Sequence, residues 1–190
     1  ASSAVAGVSS AVSSAVTAGS SSGSSGGLST VTLSTGVDEM SGTTFDASLT
    51  ASGTQTLNSL DKLTGTGATN DTVNATLNTS VTPAGLTNIE VVNVSTATNA
   101  VTLGLVNANA LTTLNVAGAS GGAFTATGLS SSVALAVADS AVDHTITFND
   151  VTGTSDAVTV TVAGLTGGAA TELTMAGVEG VTIASSGSAN

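Results

Sequence analysis

The chain has 190 residues, a length that favours one domain with a real core. Charged residues make up 7% of it, the formal net charge is −11 with Lys62 as the sole Lys or Arg, and there is no cysteine. Such an acidic chain is repelled by phosphate backbones and anionic lipid, which argues against nucleic-acid and membrane-surface partners, and it has no disulfide or thiolate metal site.

Residues 1–27 read as an arm. Val5, Val8, Val12 and Val16 recur at steps of three and four, the spacing of one helical face, and a Gly/Ser run from Gly19 to Gly27 has linker composition. The domain proper is expected over residues 28–190. There the period changes to two. "LSTVTLSTGV" alternates Val31 and Leu33 with Thr, and "NIEVVNVSTA" sets Ile89 and Val91 against polar neighbours. "LTTLNVAGA", "SVALAVADS", "HTITFND", "AVTVTVAGL" and "GVTIASS" read as further short strands, separated by Gly, Asn, Asp and Ser turns. Past residue 30 the one helical candidate is "GTQTLNSLDKL", where Leu57, Leu60 and Leu63 stand three apart.

The strands resemble one another. "VVNVST", "TLNVAG" and "LAVADS" align around Val94, Val116 and Val137, about 22 residues apart, with looser copies near Val160 and Val181. Aromatics are 2% of the chain, with neither Trp nor Tyr, while apolar residues reach 41% and the mean hydropathy is +0.45. An interior of Val, Leu and Ala suits thin, regular layers. The expected fold is all-β, a β-solenoid or β-helix-like stack of short strands, with a β-sandwich as the alternative. No run approaches the roughly 18 apolar residues of a membrane span.

Candidate chemistry is sparse. "GTGATNDTV" carries a degenerate calcium-binding nonapeptide in Gly65, Gly67, Asp71 and Val73, and "GTTFDASL" a poorer one at Gly42 and Asp46. Calcium is therefore the ion to test, with Asp38, Asp46, Asp61, Asn70 and Asp71 as ligands if their rungs stack; ordinary turn residues are the simpler reading. Asp139, Asp143, Asn149 and Asp150 form a second acidic group, with His144 read as a solvent-facing partner of Asp143. No nucleophile elbow, phosphate loop, dinucleotide fingerprint or zinc motif occurs, and a Ser–His–Asp triad would have to use His144. An enzyme is not expected. Asn70, Asn74, Asn78 and Asn93 head N-x-[ST] patterns, as chance allows in an Asn- and Thr-rich chain.

"LSTGVDEMSGTTFDASL", "LNSLDKLTGTGATNDTVNATL", "LTNIEVVNVST" and "LTTLNVAGA", in that order, resemble the repeat region of bacterial surface-layer proteins and related type I-secreted, RTX-like cell-surface adhesins. The likeness spans residues 28–120, and 121–190 by composition. It implies a secreted, cell-surface, self-assembling protein, a subunit of a layer or filament whose contacts are often calcium-dependent. Its partners would be copies of itself, with cell-surface polysaccharide as a further candidate. The chain lacks the family's tandem nonapeptides. The alternative function is an adhesin or carbohydrate-binding module of a larger secreted protein.

Overall fold

The computed structural model describes residues 30–67, 70–118, 121–165 and 171–186, and every regular element among them is a β-strand. The 1–27 arm lies outside the described residues. Strands β1 (Thr30–Thr32), β3 (Thr44–Ala47), β5 (Thr72–Leu77), β7 (Val91–Thr96), β9 (Thr113–Ala117), β11 (Ala134–Ala138), β13 (Ala157–Ala163) and β15 (Gly180–Ser186) form one eight-stranded sheet in that order. A second wall is made by β2 (Glu39–Gly42), β4 (Lys62–Gly65) and β6 (Gly85–Thr87). A third comprises β8 (Val101–Gly104), β10 (Phe124–Leu129), β12 (His144–Phe148) and β14 (Leu173–Ala176). All pairings are parallel and join a strand to one from the next turn, so the chain coils as a β-solenoid of about six turns. Isolated parallel bridges, Val81 with Leu103 and Leu86 with Ala108, hand the coil from the second wall to the third. The β-sandwich is thereby set aside.

Alternation explains the core. In the eight-stranded sheet Val31, Phe45, Val73, Val92, Leu114, Leu135, Val160 and Ile183 occupy one inward column, each in register with the next. Ala47, Ala75, Val94, Val116, Val137 and Val162 form the column beside it. The repeat seen in the sequence is thus a literal register for Val94, Val116 and Val137. Val160 pairs instead with Leu135, and Val181 with Val158, because the later turns carry extra corner residues. From Phe45 to Val160 the first column is buried, and each such side chain contributes roughly 1.5–3 kcal/mol relative to an exposed one. At its end Ile183 is 64% exposed, and Val181 43%.

Two local expectations change. Residues 53–63 contain no helix: Leu57 and Leu63 are buried, Leu60 is exposed, and the amide of Asn58 donates to the Asp61 carboxylate at 2.7 Å. A carboxylate-closed corner occupies the place of a helical turn. Ile89 and Val91 do not share a face either. The corner at Glu90 breaks the alternation, so Val92 and Val94 point inward and Val91 pairs on the outer side with Thr72 and Thr113.

Candidate functional site

The acidic residues obey a rule of position. Asp38, Asp61, Asp71, Glu90, Asp143, Asp156, Glu172 and Glu179 each stand immediately before a strand. At a corner the backbone amide has left one ladder and not yet joined the next, and a buried donor without an acceptor is costly. The acid of the following turn supplies the acceptor. Asp38 N–H donates to Asp61 Oδ1 at 2.8 Å, Asp71 N–H to Glu90 Oε2 at 2.8 Å, and Asp156 N–H to Glu179 Oε2 at 3.0 Å. Glu172 N–H donates to Asp143 Oδ1 at 3.0 Å, the same link run in the other direction. These side chains are clamps between turns. Glu90, Glu172 and Glu179 belong to the set although no motif marks them; their place just ahead of an alternating run is the signal that could have found them.

The expected calcium ligands can be placed one by one. Asp38 and Asp61 are brought together, both buried. Asp38 accepts from the amide and hydroxyl of Ser34 at 2.8 and 2.9 Å, and Asp61 from the amides of Asp38 and Asn58. Burial pushes the Asp61 carboxyl above its ordinary value, against the pull of those two amides and with help from the charge of Asp38. Asp71 lies at a different corner, where it accepts from Gly67 N–H at 3.2 Å and Thr66 Oγ at 3.3 Å and closes the turn into β5. A Cβ on Gly65 would run into the carbonyl oxygen of Asn88 and the Asp71 carboxylate, so this corner needs glycine. Asn70 adopts φ 74° and Asp46 accepts from Ser48 on the outer face. A hard cation needs six to eight oxygens converging on it. These carboxylates converge on N–H and O–H donors instead, and among the described residues no three His, Cys, Asp or Glu side chains group as metal ligands.

The second acidic group is also dispersed. Asp150 is exposed and accepts from Ser131 N–H and Ser130 Oγ at 2.8 and 2.9 Å; those bonds, the amide's first, hold its carboxyl below the usual range. Asp139 sits at φ 49° after β11. His144 is not solvent-facing. It lies in the inner column Val101, Phe124, His144, Leu173, is 1% exposed, and meets Phe124 edge-on at 6.1 Å. Its Nε2 shares a 2.7 Å hydrogen bond with Ser140 Oγ, while Nδ1 is buried without a partner. Burial lowers its pKa, with the nearby Asp143 charge opposing.

A concave feature lies on the outer face of the eight-stranded sheet. Asn74, Asn93 and Asn115 stack in register there: Asn93 Nδ2 donates to Asn74 Oδ1 and Asn115 Nδ2 to Asn93 Oδ1, both at 2.7 Å. Beside them Ser95 Oγ donates to Thr76 Oγ at 3.1 Å. A groove of about 260 Å³ runs between the two rows. Asn74 and Asn93 head N-x-[ST] patterns in the sequence, and their equal place in "TVNATL" and "VVNVST" is the signal for a row.

No protein-family model, curated protein or solved structure matches this chain.

Proposed function

We propose that the protein is a structural, self-assembling extracellular protein, the subunit of a surface layer or fibre whose turns continue from one copy to the next. One observation carries the reading: among the described residues no strand covers β15. Strand β15 is an edge of the eight-stranded sheet, and Val181 and Ile183 are exposed where their predecessors Val158 and Val160 are buried. An exposed apolar edge strand is a template for a further strand.

Strand β1 of a second copy is the occupant with matching character. It is the opposite edge of the same sheet and repeats the alternation, with half-buried Val31 between Thr30 and Thr32. Adding it in parallel sets Val31 over Ile183, with Thr30 over Thr182. A head-to-tail contact of this kind does not close on itself and grows filaments. The low charge and the resemblance to surface-layer repeats support placement outside the cell.

Sedimentation velocity and electron microscopy over a rising concentration series test this. Particles should lengthen with concentration, and Ile183→Asp or Val31→Asp should each hold the protein monomeric. A wild-type chain that stays monomeric throughout would overturn the reading.

A further inference from the structure

We infer that the groove beside the asparagine row binds an uncharged, hydroxyl-rich polymer, a neutral glycan lying along the solenoid axis. The inference does not depend on end-to-end assembly. It starts from unspent hydrogen-bonding capacity. A carboxamide has two N–H donors and two acceptor lone pairs. Asn93 uses one donor on Asn74 and one lone pair for Asn115, which leaves it one of each. At the ends of the row, both donors of Asn74 and both lone pairs of Asn115 remain uncommitted. Each turn therefore offers a donor and an acceptor side by side, the pair that complements a sugar hydroxyl.

The row is also fixed in advance. The three amides are half-buried and hold one another at 2.7 Å, so little side-chain freedom is left to lose on binding. Thr76 and Ser95 add hydroxyls along the opposite wall, and the backbone at Ala75 and Val94 forms an uncharged floor.

Charge and repeat select the class of ligand. The lining contains no Lys, Arg, Asp or Glu, so it offers no countercharge to a phosphate, sulfate or carboxylate, and the net charge of −11 repels all three. Along the axis the groups recur at the strand spacing of about 4.8 Å. An extended peptide repeats its side-chain pattern every two residues, about 6.8 Å, and falls out of step. A chain of sugar rings, each roughly as long as one strand spacing, keeps step. The register also sets the length: the column continues as Ala136 and Thr161 beyond Asn115 and as Asp46 ahead of Asn74, so the amides serve about three sugar rings.

The test is a titration of the full chain, dilute enough to be monomeric, with linear trisaccharides of glucose, mannose and N-acetylglucosamine. The readout is the side-chain NH₂ resonances of Asn74, Asn93 and Asn115. At least one neutral trisaccharide should shift all three saturably, and a galacturonate trimer should bind at least tenfold more weakly. Asn93→Ala should weaken binding tenfold or more. Asn115→Ala, which removes one link at the end of the row, serves as the second variant should Asn93→Ala perturb the fold. The inference is overturned if no trisaccharide moves the row, or if both variants bind as the wild type does. It is equally overturned if raising protein concentration alone produces the shifts, since the groove would then be a contact between copies. Sedimentation reads assembly separately, so either proposal can fail without the other.

Discussion

Two halves of one coil use the same rung differently. In the turns built on β3, β5, β7 and β9, inner residues are sealed on both sides, outer residues other than exposed Ala117 are half-buried, and β5, β7 and β9 carry a hydrogen-bonded amide row on the outer face. In the turns built on β13 and β15 the outer face is Ala, Thr and Ser, and exposure rises until even the inward positions of the last strand are open. Backbone pairing is equally regular in both, so the ladder alone does not determine how well a rung is held. Cover from the next turn does. In a stack, stability is a sum of units and nearest-neighbour contacts, and among the described residues the turn built on β15 has a neighbour on one side only.

The contrast can be tested by substitution, starting with the strongest effect. Phe45→Ala, in a sealed part of the inner column, should cost about 3–5 kcal/mol in urea denaturation, whereas Ile183→Ala, in the same column at the open end, should cost no more than about 0.5 kcal/mol. Equal losses would erase the distinction between the halves. Gly65→Ala should lose about 1–3 kcal/mol, because its new methyl group meets the Asn88 backbone as well as the Asp71 carboxylate. Asp61→Ala should cost about 1–3 kcal/mol by stranding the amides of Asp38 and Asn58, and Asp61→Asn less, since it keeps one acceptor.

Acidity sharpens the comparison from the other side. His144 has a folded-state pKa below 6.5, so above that value both states carry a neutral ring. As pH falls below 6.5 the unfolded chain takes up the proton first, and stability drops until the folded pKa is reached, at a slope limited to one proton. Hydrogen exchange should therefore show β12 and β14 loosening on mild acidification, and His144→Phe should remove the effect. Asp61 works in the opposite sense. Its raised pKa means that protonation favours the folded state, so acidification through that pKa relieves the corner between β2 and β4. The smallest effect belongs to Lys62, whose 3.9 Å pair with Glu39 is exposed on both sides; Lys62→Met should move the denaturation midpoint hardly at all.

Much of the fold was legible in the amino acids. Period-two alternation marked the strands, and the interval between Val94, Val116 and Val137 marked the register because inner columns of a coil must stack like on like. The phase of β12 was legible too: Ile146 and Phe148 point inward, which carries His144 with them, yet its acidic neighbour suggested solvent. What local pattern lacks is the partner across turns. The acceptors for the amides of Asp38 and Asp71 are Asp61 and Glu90, and those lie 23 and 19 residues away. The groove is hidden for the same reason, since three separate asparagines become one surface only when the coil closes.

The placement of acids just before strands has a consequence for how copies approach one another. Most of the negative charge is drawn into lines along the corners, leaving the broad faces nearly neutral, as on a prism with electrified edges. Two such prisms in dilute buffer turn their edges apart and present face or tip. With salt shrinking the reach of that repulsion to about 8 Å at physiological ionic strength, orientation would be dictated less by the edges and more by contact.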